Sequence, residues 1–195
     1  MCNTGMIETL PIKEDVCYNA MKSVCNTKVC IKRMGWREVR KPSCLLHRGG
    51  VMYFDDLKLG MFVDTAPAVI EKEKMMAFAR DYDILPVHLD EEYAQNSPFG
   101  KLIAPGVMSF MSVWVKYLET DFFGEEVLAG KSTKIEWIKP VYADDVLRGK
   151  VTITNLTKRN AKNGIVELTV DVFNQNGELV LKDVTEMYVK CRPEQ

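Results

Sequence analysis

Histidine is scarce in this sequence, and several features that would indicate a function class are missing altogether. The 195 residues contain only two histidines, His47 and His88. No apolar run approaches the roughly 20 residues that cross a bilayer, and the N-terminus lacks the apolar core of a signal peptide. We therefore expect a cytoplasmic protein without a membrane partner. The formal net charge is −1, so no overall basic field favours nucleic acid as a partner.

Cysteine is rare outside the N-terminal quarter of the chain. Five of the six cysteines lie within the first 44 residues: Cys2, Cys17, Cys25, Cys30 and Cys44. They form no C-x2-C pair and their spacings are irregular, which disfavours a zinc module. A disulfide-stapled arm is disfavoured too, because the rest of the chain is typical of an intracellular protein. We predict that residues 1–51 form a poorly ordered or loosely docked extension.

The charge balance and a short glycine pair mark the end of this extension. Residues 1–51 carry nine Lys and Arg against four Asp and Glu, whereas residues 52–195 carry 17 against 23. Codons for Arg48-Gly49-Gly50 can spell a purine-rich AGGAGG tract just before the Met52 codon. One hypothesis is therefore that residues 1–51 are translated upstream sequence, and that the natural domain covers residues 52–195.

Apolar periodicity predicts two helices before the main run of strands. Residues 71–82 place their apolar side chains on one helical face. Pro86 disfavours helical dihedrals at the residue before it, so this first helix is predicted to end near Asp83. Residues 107–118 are apolar around almost the whole circumference, which predicts a buried central helix that other elements wrap.

The C-terminal half is dominated by alternating apolar and polar residues. Residues 133–139, 147–154 and 167–172 show the period of two that half-buried strands require. Two Asn-Gly pairs, Asn163-Gly164 and Asn176-Gly177, are predicted to form tight hairpin turns. The expected fold class is α+β: a curved antiparallel β-sheet, running as a long meander, wrapped around a central buried α-helix.

An acid and the only histidine of the predicted domain flank Pro86. On one continuous helix Asp83 and His88 would differ by about 140° in azimuth and would not share a face. A loop bent at Pro86 could bring the two side chains together, where they could hold a water molecule and move its protons. The structural alternative is that Asp83 caps a turn and His88 bonds a backbone carbonyl.

A glycine stands at the start of the predicted central helix. Gly106 lets a ligand approach a backbone N–H at the helix N-terminus, where free donors and partial positive charge can stabilise an oxyanion. Pro105 suits the entry to a helix but has no N–H of its own. The alternative is that Gly106 simply forms a tight corner.

Three stretches occur in an order that resembles the MaoC-like dehydratases, a family that includes the R-specific enoyl-CoA hydratases. They are "FDDLKLG", "FARDYDILPVHLDEEYAQNSPFGKLIAPG" and "WIKPVYADDVL". The resemblance covers about residues 53–190, and its most specific part matches the family pattern at Asp83, Pro86, His88, Asp90, Phe99-Gly100 and Gly106.

This resemblance implies the hot-dog fold and the reversible addition of water to the α,β double bond of an acyl thioester. It implies that Asp83 is the main acid and base, that His88 orients the water, and that the Gly106 N–H binds the thioester carbonyl. No metal or redox cofactor is implied, since CoA enters as part of the acyl-CoA or acyl-carrier thioester substrate. A homodimer or a dimer of dimers is the implied assembly. Three cations are equal candidates for the CoA phosphates: Lys101, Lys134 and Lys139.

The sequence departs from the family pattern at two positions. Leu85 stands where the family often has an amide, and Pro105 stands where it often has histidine. These departures leave open a non-catalytic acyl-CoA-binding or dimerisation module. The resemblance to hot-dog proteins leaves open a second alternative, an acyl-CoA thioesterase. The thioesterase is disfavoured because residues 107–118 contain no acid, and Glu119 follows only at the end of the helix.

Overall fold

The computed structural model describes residues 52–194 of the chain. In that range the elements are β1 (Phe62–Asp64), β2 (Ala68–Val69), α1 (Lys72–Tyr82), α2 (Pro86–Leu89), α3 (Glu91–Gln95), α4 (Gly106–Leu118), β3 (Val127–Trp137), β4 (Val146–Lys158), β5 (Asn163–Phe173) and β6 (Leu179–Lys190). The predicted extension, residues 1–51, lies outside the described residues. Its lack of order, and the hypothesis of a start at Met52, stay predictions.

The strands form one antiparallel sheet in the order β1-β4-β5-β6-β3, and β2 pairs separately with β4. Strands β4, β5 and β6 are the predicted meander. The prediction was wrong for β3, which pairs with β6 at the far edge of the sheet and not with β4. A physical reason is that β3 has almost no inward apolar residues, since only Ile135 is half-buried, and such a strand suits an edge.

The central strands present regular inward rows of apolar side chains to helix α4. On β4, Leu147, Val151 and Ile153 are buried together with Gly149. Full burial of one such side chain contributes about 1.5–3 kcal/mol. Gly149 permits close packing, because a Cβ on it would lie 2.5 Å from Cγ1 of Val113. The predicted α+β class, an antiparallel sheet packed around a central helix, is confirmed.

Helix α4 is buried on one side only, so the prediction of a fully wrapped helix was wrong. The buried side includes Phe110, Val113 and Tyr117. The opposite face is apolar but about half exposed at four positions: Val107, Met111, Val115 and Leu118. One sheet covers a single face of a helix, so the other face remains open in the isolated chain. Within residues 52–194 no helix combines the length and apolar character that crossing a membrane requires.

One of the two predicted Asn-Gly turns is correct. Gly177 has φ +76° and its N–H donates to the Asn174 carbonyl, so Asn176-Gly177 lies in the turn between β5 and β6. Asn163-Gly164 instead begins strand β5. The preceding turn is closed by Asn160, whose side-chain oxygen accepts the backbone N–H groups of Lys162 and Asn163. Because the Asn160 side chain stabilises this turn, the Asn-Gly pair is not needed to form it and belongs to the strand instead.

Candidate active site

The corner around Pro86 brings Asp83 and His88 together. Helix α1 ends as predicted, with the Asp83 N–H donating to the Ala79 carbonyl over 2.9 Å. Leu85 is extended, as the residue before proline must be, and Pro86 opens the short helix α2. The expectation of a loop here was wrong, since His88 lies on this short helix. Two helices joined at a bend thus replace the single helix that would have separated the two side chains.

The imidazole of His88 faces Asp83 with one nitrogen and the backbone with the other. Its Nε2 lies 3.4 Å from Oδ2 of Asp83, and its Nδ1 lies 2.8 Å from the Ile103 carbonyl oxygen. His88 is 5% exposed, whereas the Asp83 side chain is 36% exposed. The structural alternative for His88, a bond to a backbone carbonyl, is therefore correct as well, and it coexists with the proximity to Asp83.

The Ile103 carbonyl fixes the tautomer of a neutral His88. A carbonyl oxygen only accepts, so Nδ1 must carry the proton and Nε2 presents a lone pair. The ionised Asp83 carboxylate is also an acceptor. Two acceptors that face each other can share one water molecule, which donates one hydrogen to each of them. Asp83 and His88 are therefore arranged to hold a water molecule by its two hydrogens, which leaves the lone pairs of the water oxygen free.

The backbone of Gly106 supplies a donor near this pair. Gly106 is the first residue of α4, after the N-cap Pro105. Its N–H belongs to the first turn, where no intrahelical acceptor exists, and no hydrogen bond to another described residue involves it. The helix N-terminus adds partial positive charge at this point. The prediction that Gly106 opens the helix is confirmed in position, while its role as a carbonyl ligand stays a prediction.

One cavity joins the three predicted site residues. It has a volume of about 420 Å³, and Asp83, His88 and Gly106 all line it. Most of its remaining wall is apolar and comes from the end of β3, the segment after it, and the start of β6. A mainly apolar cavity with a few polar groups at one point is typical of a site for a small organic ligand.

The three candidate cations for CoA phosphates differ in their surroundings. Lys139 lines the cavity, and its Nζ lies 2.6 Å from Glu178. Lys101 lies over the Tyr142 ring, with Nζ 4.1 Å from the ring centroid. Lys134 is an exposed residue of β3. The assignment of one of them to the phosphates stays a prediction.

Sequence reasoning missed Trp137 as part of this site. This residue ends β3 and lines the cavity together with Gly106. Its indole lies directly against the glycine, since a Cβ on Gly106 would be 2.5 Å from Cε2 of the ring. The motif "WIKPVYADDVL" contains the residue, but no periodicity in the sequence indicates that the end of β3 reaches the start of α4.

Comparisons with known proteins indicate the family of this chain. Residues 57–176 match the family model of the MaoC like domain. The (R)-specific enoyl-CoA hydratase of Rhodospirillum rubrum is 31% identical over 107 residues, which cover 53% of this chain and 71% of that protein. The uncharacterized protein YdeM of Bacillus subtilis is 27% identical over 140 residues, which cover 71% of this chain and 99% of YdeM.

A solved structure of a MaoC-like protein is also similar to this chain. The crystal structure of the MaoC-like dehydratase from Rhodospirillum rubrum has a TM-score of 0.68 and 29% identity to this chain. The match covers 73% of this chain and 99% of that one. The hot-dog fold expected from the sequence is thereby confirmed. Because the family model also spans more than half of the sequence, the chain belongs to the MaoC-like domain family.

Proposed function

We propose that this protein is a hydratase that reversibly adds water to the α,β double bond of an enoyl-CoA or another enoyl thioester. The product is a 3-hydroxyacyl thioester. The observation that carries the proposal is the facing pair of acceptors, Asp83 and His88, in one cavity with the free N–H of Gly106. The similarity to an (R)-specific enoyl-CoA hydratase supports it.

The proposed proton transfers use a single acid and base. The water donates one hydrogen to Nε2 of His88 and the other to the Asp83 carboxylate. As the water oxygen forms a bond to C3 of the substrate, Asp83 takes the second hydrogen as a proton. Asp83 then delivers a proton to C2, so that one water molecule is added and the carboxylate is restored. His88 positions the water throughout, and positioned acid-base groups contribute about 10²- to 10⁴-fold to a rate.

Gly106 is proposed to stabilise the charge that this addition creates. Attack at C3 moves electrons through C2 to the thioester carbonyl oxygen, which gains enolate character. The Gly106 N–H donates to that oxygen, and the N-terminal end of α4 adds favourable potential. The donor is fixed before the reaction begins, so no reorganisation is needed when the charge develops.

The proposal requires no resident cofactor. CoA, or a carrier protein, enters with the acyl group as part of the substrate. Among residues 52–194 no three His, Cys, Asp or Glu side chains are grouped so that they could hold a metal ion. Fatty acid metabolism in the cytoplasm is the setting that the sequence leads us to expect.

The thioesterase alternative is weaker on structural grounds. Helix α4 carries no acid between Gly106 and Leu118. Glu119 follows it, but both of its carboxylate oxygens bond Lys116 on the surface, at 2.8 and 2.9 Å. A carboxylate held there is not directed at a thioester at the other end of the helix.

One assay separates the three candidate functions. The protein is incubated with a panel of enoyl-CoA and 3-hydroxyacyl-CoA thioesters of different lengths, while loss of the enoyl absorbance and release of free thiol are followed in parallel. We expect loss of the enoyl absorbance without thiol release. Thiol release alone would instead support a thioesterase, and binding without turnover would support a non-catalytic module.

We also propose that the protein is a homodimer, or a dimer of such dimers, formed through the exposed side of α4. Val107, Met111, Val115 and Leu118 form one apolar stripe along this face, each 46–57% exposed. Met111 and Leu118 line one cavity together with Val127 and Gly130 of β3. The outer edge of β3 has no pairing strand among the described residues. An apolar stripe next to an open strand edge fits a second copy of the same surface.

Replacing Val115 by Glu is expected to convert the dimer to a monomer. Burying an uncompensated charge at an interface costs several kcal/mol, so we expect the dimer dissociation constant to rise by about 100-fold or more. Light scattering coupled to gel filtration measures the change. Val69→Glu is the matched control, because Val69 is also exposed (53%) but lies on β2, outside the stripe. Equal masses for both variants would contradict this interface.

A further inference from the structure

The indole of Trp137 lies beside the N-terminus of the central helix. A Cβ on Gly106 would overlap the ring nitrogen and would lie 2.7 Å from Cδ1, so no side chain fits between the ring and this glycine. Trp137 is 58% exposed and lines the cavity that contains Asp83 and His88. Its Nε1–H makes no hydrogen bond to any described residue, and it is therefore a free donor at the rim of the site.

We propose that the Nε1–H of Trp137 is a second donor to the thioester carbonyl oxygen, acting together with the Gly106 N–H. This inference rests on the proposed hydratase function and extends it to a residue that the sequence did not indicate. An oxygen that accepts from Gly106 lies about 2.9 Å from its nitrogen. The indole nitrogen lies on the Cβ side of the same glycine, and an oxygen placed between the two nitrogens can accept from both.

The other neutral side-chain donors near this point, among the described residues, are already engaged or missing. Pro105 has neither an N–H nor a polar side chain. The hydroxyl of Ser109 donates to the Pro105 carbonyl over 3.3 Å. The hydroxyl of Tyr142 donates to the Phe99 carbonyl over 3.4 Å. The Trp137 N–H is thus an available side-chain donor beside the Gly106 N–H.

The expected contribution follows from the charge on the oxygen. A hydrogen bond to a charged group is stronger than one to a neutral group, and its loss corresponds to about a 10- to 100-fold change. The oxygen carries more negative charge in the transition state than in the bound substrate. The Trp137 N–H should therefore affect kcat more than KM.

Trp137→Phe tests this role, because phenylalanine keeps an aromatic ring but lacks the N–H. We expect kcat for hydration of a short enoyl-CoA to fall about 10- to 100-fold, with KM changed by less than about threefold. A spectroscopic readout accompanies the kinetics. A donor on the carbonyl polarises the enoyl thioester, so the red shift of its ultraviolet absorbance on binding should be smaller in the variant.

Ile138→Ala is the matched control for the apolar wall of the cavity. Ile138 follows Trp137 in the chain, lines the same cavity, is 42% exposed and offers no side-chain donor. We expect this variant to raise KM while leaving the red shift intact. A red shift lowered equally in both variants would overturn the donor role, because loss of wall area alone would then explain it.

The outcomes separate this inference from the function on which it rests. A wild-type protein that hydrates no enoyl thioester would contradict the proposed function itself. A wild type that is active, with Trp137→Phe retaining kcat within twofold and the full red shift, would contradict only the role of Trp137.

Discussion

Replacing Asp83 by Asn is expected to lower the rate of hydration of an enoyl thioester by about 10²- to 10⁴-fold. Asparagine keeps the shape of the side chain but cannot take a proton from water. Its amide would also present hydrogens towards the water site, where two acceptors are needed. The Asp83 side chain is 36% exposed, so the folded state should lose little stability. Initial rates from the loss of enoyl absorbance measure the effect.

The chain offers a close control for this substitution. Asp81 lies two positions earlier, in the last turn of α1, is exposed and is absent from the cavity wall. Asp81→Asn should retain the wild-type rate. The single variant His88→Gln should lose activity as Asp83→Asn does, because the imidazole holds the same water molecule. Full activity in Asp83→Asn would remove the proposed acid and base, and equal losses in the Asp81 and Asp83 variants would point to a general electrostatic effect.

Replacing Asp183 by Asn is expected to change how stability depends on pH. Asp183 lies on β6 and is 0% exposed. Its Oδ2 accepts from the Thr185 hydroxyl over 2.7 Å, while its Oδ1 has no partner among the described residues. Burial away from water raises the pKa of Asp183 from 3.8 to about 6.

The direction of the effect follows from proton linkage. The folded state binds this proton more tightly than the unfolded state, so the group favours folding below about pH 4. That contribution is lost as pH rises through about 6. Because the unfolded carboxyl is already partly ionised at pH 4, the shift corresponds to about 2 kcal/mol between pH 4 and pH 7.5. Relative to the wild type, Asp183→Asn should therefore gain about 2 kcal/mol in free energy of unfolding over that interval.

Urea unfolding at several pH values between 4 and 7.5 measures this difference. The control is Asp64→Asn, which removes an exposed carboxylate on β1 by the same chemical change. If the Asp183→Asn and wild-type curves stay parallel from pH 4 to pH 7.5, then Asp183 does not titrate with a raised pKa.

Local sequence patterns predicted the elements that local chemistry controls. The period of the apolar residues located α1, and the steric effect of Pro86 placed its end near Asp83, which is the C-cap. Elements that depend on distant contacts were predicted less well. The position of β3 at the far edge depends on pairing with β6, which comes about 50 residues later in the chain, as in the pair Thr133 and Thr185. The open face of α4 depends on what covers the helix, which its own sequence does not specify.

The functional residues also differ in how far the sequence predicts them. The Asp83–His88 pair could be predicted because a proline bend and a family pattern both point to it. Trp137 could not, because its contact with Gly106 joins residues 31 positions apart on different elements. Asp183 could have been found, since it alternates in phase with the buried residues Leu181, Thr185 and Met187. Strand alternation alone would have placed that carboxylate on the inner face.

The most direct test of the central claim is a crystal structure of the Asp83→Asn variant with an enoyl-CoA bound. The slow variant should retain intact substrate long enough for data collection. We predict that the carbonyl oxygen lies within about 3 Å of the Gly106 nitrogen, with C3 facing positions 83 and 88. A thioester turned away from Gly106, or bound instead in a different cavity that Trp114 and Tyr117 line, would contradict the account.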